Sequence, residues 1–141
     1  MSEWTHVAGC IRIDRFPWGS NIEKFKNDVK EAFGRTCSFE DSEETWDLCD
    51  VPCGSEGSVQ YEVVRTGDDD SVAWGLVYIW GDLRDYTNVQ EIYKWIKVSC
   101  ENFDIRQCAV EVKCEDKKYF IHYKSEDRGI VIKEIKTGKE R

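Results

Sequence analysis

The chain has 141 residues, of which 28 are acidic and 20 basic, for a net charge of −8. That length suits one domain with a core large enough to need no cross-links, and no apolar run approaches the ~18 residues of a bilayer span. Six Trp, six Tyr and six Phe in a 40% apolar composition mark a globular chain rather than a disordered one.

The N-terminal MSEWTHVAG has neither the basic start nor the apolar stretch of a signal peptide, which predicts a chain in the cytosol with reduced thiols. In WTHVAGCIRIDR, residues 4–15, the alternation of Val7, Ile11 and Ile13 predicts a first strand, with Gly9 as a bulge or close backbone approach. FPWGS reads as a turn, and Ser20 with Glu23 forms a capping box. Ile22, Phe25, Val29, Ala32 and Phe33 share one helical face, so a first helix is expected from about Asn21 to Phe33, with Gly34 as its C-terminal cap.

The next stretch, Thr36 to Asp50, holds six acids and no base, and VPCGSEG after it reads as an irregular loop. From Ser58 the period changes to two. Val59, Tyr61 and Val63 share one side of a strand, TGDDDS turns the chain, and Val72 to Trp80 returns as a second strand. That return strand is apolar on both faces, and its Trp74, Leu76, Tyr78 and Trp80 side is most simply core beneath the helices, leaving Ala73, Val77 and Ile79 opposite. GDLRDYTN is expected as a turn, after which either Thr87 with Gln90 or Asn88 with Glu91 caps a second helix whose buried stripe is Val89, Ile92, Ile96, Cys100 and Phe103. Cys108, Val110, Val112 and Cys114 form a half-buried strand, Tyr119, Ile121 and Tyr123 the next, and GIVIKEI a last short one.

The order strand, helix, strand, strand, helix, strand matches an α+β, ferredoxin-like split βαβ antiparallel sheet carrying two helices and one or two extra C-terminal strands. It is expected to occupy residues 1–141 as a single domain, with an acidic loop over about 36–57 and a polar tail over about 136–141.

Chemistry-bearing patterns are sparse. His6 and Cys10 share a strand face, and with Cys37, Cys49 and Cys53 they bring soft ligands together, but the C-x3-C spacing of Cys49 and Cys53 is not that of zinc knuckles, so no metal is expected. A reactive Cys53 lacks a nearby base in the sequence, and its acidic surroundings disfavour the thiolate. GSEG leads into a strand and carries Glu56, which suits a turn better than a phosphate cradle. No nucleotide-loop, nucleophile-elbow or zinc-protease motif occurs, and neither an enzyme nor a cofactor is expected.

Charge is the stronger signal. Residues 36–70 hold eleven acids against Arg65 alone, giving −10, so the other 106 residues sum to +2. Such a field repels nucleic acid and anionic membrane and attracts basic surfaces. Phe39, Trp46 and Leu48 within the acidic run either staple it to the domain or anchor a partner.

Three stretches, WTHVAGCIRIDR (4–15), VPCGSEGSVQY (51–61) and IWGDLRDY (79–86), resemble segments of a family of small phage or prophage proteins without an assigned function. The resemblance covers about the first two thirds of the chain and carries no catalytic residues. It implies a phage origin and, with it, an inhibitor of host defence of the anti-CRISPR kind. Joined to the charge, it predicts a non-enzymatic protein of the host bacterial cytosol that binds a basic surface on a bacterial protein, mimicking nucleic acid. The expected partner-binding residues are Glu40, Asp41, Glu43, Glu44, Trp46, Asp47 and Asp50, with Asp68, Asp69 and Asp70 as a second cluster. The main alternative is a small-ligand binder, a sponge for a nucleotide signal, with Arg12, Arg15, Arg84 and Arg106 as phosphate donors. A third is an oligomeric phage accessory protein, for instance a homodimer.

Overall fold

The structure, a computed structural model, describes residues 3–14, 22–34, 51–66 and 74–135. Among them, six antiparallel strands form one sheet: β1 (Trp4–Asp14), β2 (Gln60–Thr66), β3 (Trp74–Arg84), β4 (Ile105–Cys114), β5 (Lys117–Lys124) and β6 (Gly129–Ile135). Their spatial order is β2-β3-β1-β4-β5-β6. Helix α1 (Ile22–Phe33) follows β1 and helix α2 (Val89–Ser99) follows β3.

β1 lies inside the sheet, paired with β3 on one side and β4 on the other, and one of its faces is buried. Thr5, Val7, Ile11 and Ile13 are buried, while Trp4, His6 and Ala8 alternate outward. Gly9 marks a close approach, since a Cβ there would come within 2.3 Å of the Ala109 carbonyl oxygen. The bulge lies further on, where β1 pairs with β4 between Arg12 and Ile13.

Both helices cover the Val7–Ile11–Ile13 side. Phe25, Val29 and Phe33 descend from α1, and Val89, Ile92, Trp95 and Ile96 from α2, into one apolar cluster with Val77, Ile79, Val110, Val112 and Ile121. Each such side chain, fully buried, stabilises the fold by about 1.5–3 kcal/mol. The helices meet where Phe33 packs edge-on against Trp95 at 5.6 Å and tilts against Tyr61 of β2 at 5.9 Å. There the Trp95 indole N–H donates to the Phe33 carbonyl at 3.0 Å. Trp95 stood outside the expected stripe, yet it is the largest fully buried side chain. Of the two candidate caps for α2, Asn88 is used: its side-chain oxygen accepts from the Glu91 N–H at 3.2 Å.

Two expectations are corrected. The face of β3 with Trp74, Leu76, Tyr78 and Trp80 is not beneath the helices; Gly75, Val77, Ile79 and Leu83 are. The reason is steric, because Phe25 fills the space above Gly75, where a Cβ would sit 2.2 Å from its ring. The turn expected over GDLRDYTN also starts late. β3 continues to Arg84 because Leu83 is buried, and the chain reverses only at Asp85, whose φ is +54°.

The face assignment is directly testable by urea denaturation. Ile79→Ala should cost about 2–5 kcal/mol, whereas Tyr78→Ala, one residue away on the open side, should cost less than about 1 kcal/mol. The opposite ranking would invert the sheet.

Candidate binding surface

With both helices on one side, the other side of the sheet is uncovered among the described residues. Register alignment sets its side chains in rows across the strands. One row runs Gln60, Trp80, Ala8, Glu111, Phe120, Lys133, and the next runs Glu62, Tyr78, Cys10, Ala109, His122, Val131. The small residues Ala8, Cys10 and Ala109 floor a shallow trough. One wall is Trp80 and Tyr78; the other is Phe120 stacked on His122, with ring centroids 4.9 Å apart. β3 and β5 are three strand spacings apart, which sets the walls about 14 Å from each other.

The aromatic residues here are unusually open. Trp4, Tyr78 and Trp80 retain 36%, 47% and 40% of their surface, the large hydrophobics that stand out as exposed among the described residues. Apolar area gathered on one face in this way marks a contact site more often than scattered single residues do.

The charge on this face differs from the charge of the whole chain. β4, β5 and β6 present Lys113, Lys118, Lys124 and Lys133 against Glu111. Lys118 lies 3.4 Å from Glu111, and Lys124 reaches Glu126 and Asp127 in the following turn. Lys133 lies over the Phe120 ring at 5.7 Å, and neither it nor Lys113 has an ion pair among the described residues. On the β1 and β3 side, His6 Nδ1 is 2.5 Å from Asp82 Oδ1, but both side chains are more than half exposed, so the pair contributes little.

At the Asp14 end of the sheet a cleft of about 890 Å³ opens between Arg12, Asp14 and Trp74 of the open face and Asp104, Arg106, Tyr123 and Ser125. Arg12 is fixed there twice: its Nε donates to Asp14 at 2.9 Å, and its guanidinium lies over the Trp74 ring at 5.3 Å. Arg106 is exposed and has no ion pair among the described residues. The volume is within the range of small-ligand sites.

Of the four arginines expected as phosphate donors, the structure brings Arg12 and Arg106 together. Arg84 is at the far end of the sheet, since Trp4 pairs with Arg84 and Arg12 with Leu76, about 26 Å along the strands. There Arg84 has a different task. Its backbone and its Nη1, 2.7 Å from Glu56, hold the Gly54–Gly57 turn against β3. Arg15 lies outside the described residues, as do Glu40, Asp41, Glu43, Glu44, Trp46, Asp47, Asp50, Asp68, Asp69 and Asp70. Their flanks are described, however. Gly34 and Val51 bound one acidic run and Thr66 and Trp74 the other, at opposite ends of β2, about 20 Å apart.

The thiols are dispersed. His6 and Cys10 share the open face, Cys53 is exposed with its Sγ 3.4 Å from the Val51 carbonyl, and Cys37 and Cys49 lie outside the described residues. No group of three metal-ligating side chains forms among the described residues. No helix among them is long and apolar enough to cross a membrane.

Burial raises the Cys10 thiol, pushes the Cys108 thiol up to about 12, with Cys10 adding to it, and holds Cys100 well above its ordinary range, with Cys108 adding to that. Cys100 and Cys108 should therefore resist a thiol reagent at pH 8 until the chain unfolds, as peptide mapping would report. The sign of the pH effect follows. The folded chain keeps protons that the unfolded chain releases, so this stabilisation is complete below about pH 9 and is lost as pH rises towards about 12. Urea midpoints should fall over that window, and less steeply in Cys108→Ala.

In comparison with known proteins, no family model, curated protein or solved structure matches this chain.

Proposed function

We propose that this chain is a non-enzymatic binding protein whose uncovered sheet face is its contact surface. The observation that supports this most is the gathering of Trp4, Tyr78 and Trp80, each more than a third exposed, on that one face. Aromatic side chains in such a position are the usual energetic anchors of an interface. The order β4-β1-β3-β2, with helices after β1 and β3, supports reading the core as a ferredoxin-like split βαβ unit to which β5 and β6 are appended.

The biological setting is part of the same proposal: a phage-type inhibitor of bacterial defence acting in the host cytosol. The acidic runs 36–50 and 68–70 supply the field that steers a basic protein partner towards it. Capture from bacterial lysate should fall at high salt and fall further when Glu40, Asp41, Glu43, Glu44, Asp47 and Asp50 are neutralised. Trp80→Ala should weaken it about 30-fold or more, the cost of losing one hot-spot aromatic. Unchanged capture by both variants, with native circular dichroism, would reject the proposal.

A second reading is favoured by the convergence of Arg12, Arg106, Trp74 and Tyr123 in the cleft, where Arg12 lies over the Trp74 ring and Arg106 supplies an exposed cation beside the acids Asp14 and Asp104. A nucleotide that binds there should raise the melting temperature in proportion to the logarithm of its concentration. Arg106→Gln should abolish that rise.

A further inference from the structure

We propose that the uncovered face binds single-stranded nucleic acid, with Trp80 and Tyr78 as stacking platforms and Lys113, Lys118 and Lys133 as phosphate contacts. This rests on the reading of that face as a contact surface, but assigns the sheet itself to a polyanion and leaves the basic protein partner to the acidic runs.

Three observations carry the assignment. The first is aromatic accessibility: Trp80 and Tyr78 follow one another on the same side of β3 and are 40% and 47% exposed, so each offers a ring face that every base can use. The second is local charge. The chain is acidic overall, yet across β4, β5 and β6 this face carries Lys113, Lys118 and Lys133 against Glu111, a local sum of +2, while Arg84 and Lys124 are paired with Glu56 and with Glu126 and Asp127. Its cations concentrate on β4, β5 and β6, beside the aromatic wall rather than beneath it. The third is shape. Ala8, Cys10 and Ala109 keep the middle of the trough low, so a backbone can run along it between the Trp80–Tyr78 wall and the Phe120–His122 wall, with Lys113 and Lys118 at one end and Glu111 as the acid on its floor.

One neighbour adds hydrogen-bonding capacity. Gln107, exposed on the open side of β4, is an amide donor and acceptor able to meet base edges, whereas the Gln60 Nε2 already donates to Ser58 Oγ at 2.9 Å. The Arg12–Trp74 stack at one end continues the alternation of cation and ring. A duplex is a poor fit, because its bases are already stacked and cannot reach the rings. A purely acidic peptide would satisfy the lysines and leave Trp80 and Tyr78 unused.

The test uses the full chain and a fluorescently labelled single strand of about 12 nucleotides, as DNA and as RNA. Anisotropy should rise on binding, and tryptophan fluorescence should be quenched. Trp80→Ala and Tyr78→Ala should each lower affinity about 5- to 150-fold. The logarithmic salt dependence should lose about 0.7 of slope for each lysine replaced in Lys113→Gln, Lys118→Gln and Lys133→Gln. All of these positions are on the open face, so native circular dichroism should be retained.

Absence of binding at low salt to either strand overturns the proposal. So does equal binding of the matching duplex, equal competition by polyglutamate, which would make the occupant an acidic protein surface, or equal competition by mononucleotides, which would move the site to the Arg12–Arg106 cleft. Lysate capture separates the two levels of inference. If the strand fails to bind but Trp80→Ala still abolishes capture, the face remains the contact surface and only the nucleic acid is wrong. If capture also survives, both fail.

Discussion

The contact between Phe25 and Gly75 determines how the rest of the molecule is presented. A strand with apolar residues on both sides can seat either side against a helix layer, and a shift of one residue reverses every side chain. Phe25 removes that choice. Its ring occupies the space a Cβ at position 75 would need, so α1 settles on the glycine side of β3 and Val77, Ile79 and Leu83 are buried with it. Trp74, Leu76, Tyr78 and Trp80 are then turned outward.

Much of the architecture was legible because most strands here are half-buried. Alternation at Val7, Ile11 and Ile13, and again at Cys108, Val110, Val112 and Cys114, is what a sheet with one covered face imposes. β3 was harder for the same physical reason. With apolar residues on both faces between Trp74 and Trp80, period two says only that it is a strand, and mass alone points the larger rings inward. The missing signal was Gly75, readable as space reserved for a ring once the helix opposite was known to carry Phe25. Trp95 was missed for a related reason, since its ring fills the gap between helices, beside the stripe that faces the sheet.

The candidate site was less legible than the fold. Arg12 and Arg106 were named as anion donors from residue type, and their meeting in one cleft depends on β1 and β4 being neighbours, a pairing of distant segments. Arg84 fitted the same chemistry on paper, but its backbone and guanidinium are engaged with the Gly54–Gly57 turn. Residue type identifies what a side chain can do, and only topology tells which of its neighbours will compete for it.

Charge shows the same difference between sequence and space. Summed along the chain, residues 36–70 make the protein look uniformly hostile to polyanions. In physiological salt the Debye length is about 8 Å, so a surface charge is felt over roughly two strand spacings and not over the whole molecule. β2 holds the flanks of the acidic runs about 20 Å apart, and β6 is at the opposite edge of the sheet from β2, five strand spacings away. Among the described residues, a ligand lying against Lys113, Lys118 and Lys133 meets those lysines and Glu111. The net charge of −8 slows the approach of a polyanion from a distance, and short-range contact on this face is made by the side chains that line it.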